Sequence, residues 1–242
     1  ERAVDQAADS LRTLARAVNL DRQYVSEQEI SYALAPWLNA AGRLADAEAV
    51  VRLLLARDAA GADALADQLE GLNRDRRALA AALLAQAEGL VRADPDLARS
   101  PALILEGENW EPAVLGLVAS DLARRSSRPC ILISHRAGAP SIGSGRSRTG
   151  LDLHAAITAQ RALLLREGGH PMAAGFSVER ELVPRFRAAL LATIAQQPSA
   201  QAPAPPLEVA AFLPWGEVTL DLAREVGRLA PFGSGNPRPV FA

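Results

Sequence analysis

Between Gly61 and Val91 the sequence contains no proline, and leucine recurs at Leu65, Leu69, Leu72, Leu79, Leu83 and Leu90. That near-heptad spacing predicts one long helix, about 45 Å from end to end at about 1.5 Å per residue. Arg76 occupies the stripe where a leucine is expected, so either the stripe drifts at that turn or the helix meets something polar there. The remainder of the first hundred residues also reads as helical, being rich in Ala and Leu with a single proline, Pro36, before residue 95. "SEQE" at 26–29 matches a capping box, Ser26 accepting from the backbone of Glu29 while Glu29 reaches back, and should open a helix through "ISYAL". Pro36 and Gly42 are expected to bracket a turn, followed by a short helix from about Asp46 to Arg57.

The texture changes after "ADPDLARSP" at 93–101. "ALILE" (102–106) is a short buried-strand run, Pro112 suits the first turn of a helix through Arg125, and "PCILIS" (129–134) is the next strand. Strand, crossover helix and strand make a βαβ unit with a parallel pair, expected to be right-handed. A third strand would enter "GSGRS", Asp152 would cap a helix across 153–164, "AAGFSVE" would return as a strand, and a helix would fill 180–196. The fold class is therefore α/β: a helical connector with a long helix, then a small α/β domain of about 100 residues. "QQPSAQAPAPP" (196–206) reads as a linker, and "LEVAAFL", a short helix near 218–229 and "PFGSGNPRPVFA" as the opening of a third unit.

Composition narrows the function classes. With 49% hydrophobic and 22% charged residues in 242, this is an ordinary soluble composition. No apolar run reaches the length of a membrane span and no basic-then-apolar leader opens the chain. Glu1 is not a natural start and the single methionine is Met172, so the chain reads as a piece of a longer protein lacking at least its N-terminus. The lone Cys130 sits in an apolar run as a small buried hydrophobe, which fits a reducing cytoplasm. Net charge is −2, and every cation apart from histidine is an arginine. Residues 1–100 carry 12 Arg against 16 Asp and Glu, whereas 101–199 carry 11 against 8. In 121–150, Arg124, Arg125, Arg128, Arg136, Arg146 and Arg148 face only Asp121. Charge alone leaves open both a nucleic-acid-binding patch and a solvated surface.

The histidines, His135, His154 and His170, stand too far apart in sequence for a compact metal motif, and no cysteine pair exists. Asp94 and Asp96 sit at a proline-containing helix end and read as a solvated turn; no serine lies in a Gly-x-Ser-x-Gly elbow. "GSGRS" is either an anion cradle or a flexible turn. As a cradle, Gly143 and Gly145 would let backbone N–H groups approach an oxyanion, Ser144 and Ser147 would supply hydroxyls, and Arg146 a two-pronged contact. A second cluster, "GGHPMAAG" (168–175), sets an imidazole on paired glycines. Two such segments in one small α/β domain tilt the reading toward a phosphate-bearing ligand.

Six segments carry a family resemblance: "APWLNAAGRL" (35–44), "LNRDRR" (72–77), "GENWEPAVLGLVAS" (107–120), "GSGRSRTGLDLHAA" (143–156), "GGHPMAAGFSVE" (168–179) and "LAPFGSGNPRPVFA" (229–242). In order and approximate spacing the chain resembles the RecJ family, bacterial single-strand-specific 5′→3′ DNA exonucleases of the DHH/DHHA1 phosphoesterase superfamily. The resemblance implies that residues 1–98 are the end of the DHH domain and the connecting helices, 99–198 the DHHA1 domain, and 206–242 the start of an OB-fold. It implies hydrolysis run by two Mn²⁺ or Mg²⁺ ions held by DHH residues that precede Glu1, so that this portion alone is inactive.

By position in the motifs, Ser144 and Arg146 would grip the 5′-phosphate, with Gly145 and Ser147 beside them on the strand-binding surface. His170, with Gly168 and Gly169, would approach the scissile phosphate as the catalytic loop. Asn39 and Arg43 would line the cleft, or else lock a helix junction. Trp37 stands where the family pattern has Arg, which would exchange a phosphate contact for base stacking; Glu111 stands where it has His. His154 is expected to pack under its helix, and Arg148 has no assigned role. Implied partners are single-stranded DNA, a RecQ-type helicase and single-strand-binding protein, in the cytoplasm and without a membrane, with a role in recombination and repair. Two other readings stand beside this one: a DHH–DHHA1 phosphodiesterase of short oligonucleotides or cyclic dinucleotides, and an inactive nucleic-acid-binding scaffold.

Overall fold

The structure, a computed structural model, describes residues 9–18, 20, 25–44, 47–56, 58–147, 151–197, 207–233 and 235–242. Arg148, most of the 196–206 linker and the side chain of Arg43 lie outside the described residues. The chain forms two compact units, residues 1–75 together with 206–242, and residues 76–205.

The first unit begins with helices α1 (Asp9–Ala17), α2 (Glu27–Glu29), α3 (Ala35–Leu44) and α4 (Glu48–Leu54), followed by the start of α5 (Ala59–Ala93). The capping box forms as the sequence suggests: the Glu29 N–H donates to Ser26 Oγ, and the Ser26 N–H donates to Glu29 Oε2. The turn expected between Pro36 and Gly42 does not form, because both residues lie inside α3. A π-helical turn, Ile30–Leu34, joins α2 to α3. Pro36 has no N–H to donate and would crowd the Tyr32 carbonyl of a regular α-turn, and the wider turn just before it relieves that conflict.

Along α5 the inward stripe runs Ala62, Ala66, Leu69, Asn73, Arg76, Ala80, Leu83, Ala87, alternating steps of four and three. Leu79 and Leu90, expected in that stripe, are each 41% exposed. The stripe therefore keeps its period through Arg76, and its middle turn is polar: Asn73 is buried and Arg76 half-buried. The helix buries apolar side chains on either side of this turn, against Trp37 and Leu53 before it and against Trp110 and Val114 after it.

The second unit continues from α5 through a 3₁₀ turn, Pro95–Ala98, whose cap Asp94 accepts from the Asp96 N–H, so these carboxylates form the expected exposed turn. Strand β1 (Leu103–Glu108), helix α6 (Pro112–Ser126) and strand β2 (Cys130–Arg136) follow, with β1 and β2 parallel. Then come β3 (Ala139–Arg146), α7 (Leu153–Thr158), β4 (Arg166–His170), β5 (Ala173–Val178) and α8 (Val183–Gln196). Asp152 caps α7 by accepting from the Ala155 N–H. The five strands make one mixed sheet in the order β1-β2-β3-β5-β4.

Strand alternation divides the buried residues between two faces. Ile104, Ile131, Ile133 and Phe176 pack with Leu153 and Ile157 of α7 and with Val183, Phe186, Leu190 and Ile194 of α8. Leu103, Leu105, Cys130 and Leu132 pack under Val114, Leu115, Val118 and Leu122 of α6 and Leu83 of α5. The C-terminal residues cluster with the first unit and form helix α9 (Leu220–Gly227), capped by Thr219, and an isolated bridge between Ala211 and Phe241. Trp215, 92% exposed, and Phe212, 82% exposed, stand out on this segment.

Candidate nucleic-acid interface

"GSGR" is not a loop. Residues 143–146 are the second half of β3, in the middle of the sheet, with Gly143, Ser144, Gly145 and Arg146 in register with Ile133, Leu132, Ile131 and Cys130 of β2 and with Phe176, Gly175, Ala174 and Ala173 of β5. Bound into ladders on both sides, this backbone is not arranged as a cradle of N–H groups. The glycines serve packing instead: a Cβ on Gly143 would lie 2.1 Å from the Phe176 ring, and one on Gly145 would lie 2.8 Å from Leu153 Cδ2. Ser147, placed in the same set by its sequence, is 3% exposed, and its N–H donates to the Met172 carbonyl at 2.9 Å.

Ser144 and Arg146 point the other way, toward α6. The Arg146 guanidinium donates through Nη1 to Ser144 Oγ at 3.1 Å and to the Gly145 carbonyl at 2.7 Å, so the arginine lies along its own strand. Both side chains stay half-buried. Opposite them on α6 is Gly116, where a Cβ would come within 2.4 Å of Arg146 Nη2 and 3.1 Å of Ser144 Oγ. In the sequence, the signal for Gly116 was a glycine inside an otherwise unbroken helical run, which did not mark it as part of a site.

Register carries the same face across the sheet. Ser144 pairs with Gly175, which pairs with Gly168; Arg146 pairs with Ala173, which pairs with His170. Directly paired residues share a face, so Ser144, Arg146 and His170 stand on one side of the sheet with only glycine and alanine between them. At about 4.8 Å per strand, Arg146 and His170 are about 10 Å apart across β5. A Cβ on Gly168 would meet nothing within 4 Å on that side, and one on Gly175 only the Gly143 carbonyl, at 3.6 Å. The result is a flat floor with a guanidinium and hydroxyl at one edge and an exposed imidazole at the other.

Gly169 is the hinge of this edge. Its φ is +151°, and a Cβ there would sit 2.3 Å from the Ala173 carbonyl, so the tight β4–β5 connection admits glycine alone. That β4 is a strand at all was not expected from "REGGH". On its opposite face, Glu167 is bonded to His154 Nε2 and Thr158 Oγ1 of α7, each at 3.1 Å, which keeps His154 in a structural role.

Other expected site residues are placed elsewhere. Trp37 is 2% exposed and donates from Nε1 to Glu70 Oε2 at 2.7 Å; buried and bonded in the core of the first unit, it has no face left for base stacking. Asn39, also in the first unit, is exposed and lines a depression of about 420 Å³ with Leu38, Gly42 and Val50. Glu111 pairs with Arg136 at 2.9 Å. Arg124 pairs with Asp121, and Arg125 with Asp121 and with Glu88 at 2.7 Å, while Arg128 donates to the carbonyls of Leu97 and Ser100. Four arginines of the apparent basic patch are thus compensated, Arg124 by Asp121 on the same helix, Arg125 by Asp121 and the remote Glu88, and Arg128 and Arg136 by groups 25 or more positions away. Burial pushes the Asp121 carboxyl up, but hydrogen bonds from Arg124 and Arg125 outweigh it and hold the group below the usual carboxylate range.

One arrangement resembles a nucleophilic triad. His135 bonds Ser141 Oγ through Nδ1 at 2.8 Å and Glu106 Oε2 through Nε2 at 3.1 Å, and Arg187 donates to Glu106 Oε1 at 3.0 Å. Ser141 is 0% exposed, so no substrate reaches its oxygen, and the network ties β1, β2, β3 and α8 together. Among the described residues no three His, Cys, Asp or Glu side chains converge on a metal position. The described residues do not fit a metal centre. Among the described residues no helix is long and apolar enough to cross a membrane.

Residues 99–196 match the family model of the DHHA1 domain. The chain is 38% identical over 233 residues to the single-stranded-DNA-specific exonuclease RecJ of Thermus thermophilus, covering 96% of this chain and 32% of that protein. It is 32% identical over 243 residues to the RecJ of Escherichia coli, covering 96% of this chain and 41% of that one. A crystal structure of Thermus thermophilus RecJ in complex with Mg²⁺ superposes on 98% of this chain and 36% of its own with a TM-score of 0.81 at 35% identity. A crystal structure of an exonuclease RecJ bound to manganese gives a TM-score of 0.70 at 34% identity over 84% of this chain. The chain spans between 29% and 41% of the length of the curated relatives it matches. With the DHHA1 domain at 99–196 and this similarity running along nearly all its length, the chain belongs among the RecJ homologues.

Proposed function

We propose that this chain is the strand-holding portion of a 5′→3′ exonuclease of single-stranded DNA, acting in the cytoplasm in recombination and repair. The observation that carries this reading is the single sheet face on which Arg146 and Ser144 lie one strand to one side of β5 and His170 one strand to the other, over a floor of Gly168, Ala173 and Gly175. A guanidinium next to a hydroxyl suits a phosphate dianion such as a 5′ terminus. A floor of glycine and alanine admits a sugar and base beside it, and His170 would face the next phosphate along the strand. Asn39 and Arg43 would be further contacts to the strand.

Residues 1–98 would be the end of a DHH domain and its connecting helices, 99–198 the DHHA1 domain and 206–242 the start of an OB-fold. Two ions, Mn²⁺ or Mg²⁺ as in the RecJ crystal structures, would be held by a DHH domain and supply the hydrolytic chemistry, with the present residues binding and orienting the strand. A RecQ-type helicase and single-strand-binding protein would be partners. The similarity of RecJ proteins to 96% of the chain, including its C-terminal segment, favours this reading over a smaller oligonucleotide phosphodiesterase. The test is the affinity of Arg146→Ala for short single strands. Binding of a 5′-phosphorylated strand should fall about 10- to 100-fold, the worth of one charge-assisted contact, with little change for a 5′-hydroxyl strand. Equal losses on both contradict the reading.

A further inference from the structure

We infer that Gly116 of α6 is a positioning residue that sets the geometry of the Arg146–Ser144 pair, and with it the preference for a 5′-phosphate; this rests on the reading of that pair given above. Gly116 is buried in the interior of a 15-residue helix, where glycine is among the weakest helix formers. Its presence there needs a reason, and the space across from it supplies one. A Cβ at this position would stand 2.4 Å from Arg146 Nη2, 3.0 Å from Cζ and 3.1 Å from Ser144 Oγ, all closer than carbon packs against these atoms. The helix backbone is the surface on which the guanidinium lies.

The clash falls on the far end of a long side chain rather than on backbone. An alanine at 116 can therefore be accommodated by swinging the guanidinium away, at the expense of its bonds to Ser144 Oγ at 3.1 Å and to the Gly145 carbonyl at 2.7 Å. Arg146 would keep its charge and lose its fixed orientation, which is what bidentate recognition of a phosphate requires. Gly116 differs in this from Gly71 and Gly89 of α5, where a Cβ would meet nothing within 4 Å. Neighbouring Ser120 donates to the Gly116 carbonyl at 2.9 Å, so this turn of α6 is bonded in place as well.

The experiment compares the 242-residue chain with Gly116→Ala, Gly89→Ala, Arg146→Ala and the Gly116→Ala/Arg146→Ala double variant. Binding of hexathymidylate with a 5′-phosphate or a 5′-hydroxyl is measured by anisotropy, and thermal midpoints are recorded. The 5′-phosphate preference should drop about tenfold in Gly116→Ala and stay unchanged in Gly89→Ala, and the double variant should match Arg146→Ala because both changes act on one contact. An undiminished preference in Gly116→Ala, alongside its loss in Arg146→Ala, overturns the inference and leaves the reading of Arg146 standing. A preference that survives Arg146→Ala overturns both. A midpoint that falls in Gly116→Ala and is not restored when Arg146 is also removed assigns Gly116 to packing and overturns the inference.

Discussion

On one face of β3, Gly143 and Gly145 lie flush against Phe176, Leu153 and Ile131; on the other, two residues of the same strand, Ser144 and Arg146, meet a helix that has been cleared for them at Gly116. Glycine appears on both sides of the strand with opposite uses. On the α7–α8 side its missing Cβ is filled by a neighbour's ring, so the space is part of the core. On the α6 side the missing Cβ belongs to the helix and is filled by a polar group that also reaches the surface. The lesson is that changes on the first face should be felt as stability, and changes on the second as recognition.

The largest effect should come from the packed face. Phe176 is 5% exposed and packs against Phe186 with ring centroids 4.6 Å apart, so Phe176→Ala should cost about 3–5 kcal/mol in urea unfolding. Gly143→Ala, which pushes a methyl into that ring, should cost about 1–3 kcal/mol. Arg146→Ala should cost under about 1 kcal/mol, since it removes a half-buried side chain from the edge of the α6 face. An Arg146→Ala chain as destabilised as Gly143→Ala would abolish the distinction.

The α6 face is itself closed over β1 and β2 and open over β5 and β4, and Cys130 marks the boundary, directly paired with Arg146. Burial pushes its thiol up to about 12, so alkylation in the native chain should be far slower than in the unfolded chain. Rapid labelling would place the boundary one strand further in. The smallest effect concerns the far end of α6. The folded Asp121 carboxyl is held below its ordinary value, so the unfolded chain takes up the proton first as pH falls. The stabilisation it gives is complete above about pH 4 and is lost as pH drops through the lower, folded value. Urea midpoints at about pH 5 and about pH 3 should differ less in Asp121→Asn than in the unmodified chain.

Much of the framework was legible in the sequence. The β1–α6–β2 unit announced itself through two apolar runs and Pro112, and the caps at Ser26 and Asp152 through side chains that can bond the next turn. What was hidden shares one cause: the deciding partner is remote in the chain. A strand was expected to enter "GSGRS", but that the segment itself is the second half of β3 was hidden, because its core-facing positions are glycines whose volume is supplied by Phe176 and Leu153. β4 has almost no apolar content and is held as a strand by pairing with β5 and by the bonds of Glu167 to α7. The arginines around 121–136 looked uncompensated because Arg125 finds Glu88 and Arg136 finds Glu111, 37 and 25 positions away. Trp37 looked available for stacking because Glu70, its partner, lies on another helix. Of the candidate site, Ser144, Arg146, Gly168 and His170 were named from their motifs, but the sheet register that gathers them on one face was not readable.

Whether Arg146 holds the 5′-phosphate of a single strand can be read from that side chain itself. In an isotope-labelled chain, the Arg146 Nε–H resonance, assigned by its disappearance in Arg146→Lys, is recorded during titration with hexathymidylate. If Arg146 holds the 5′ end, the resonance moves with the 5′-phosphorylated strand and stays in place with the 5′-hydroxyl strand. Equal movement with both, or movement confined to other arginines, would contradict it.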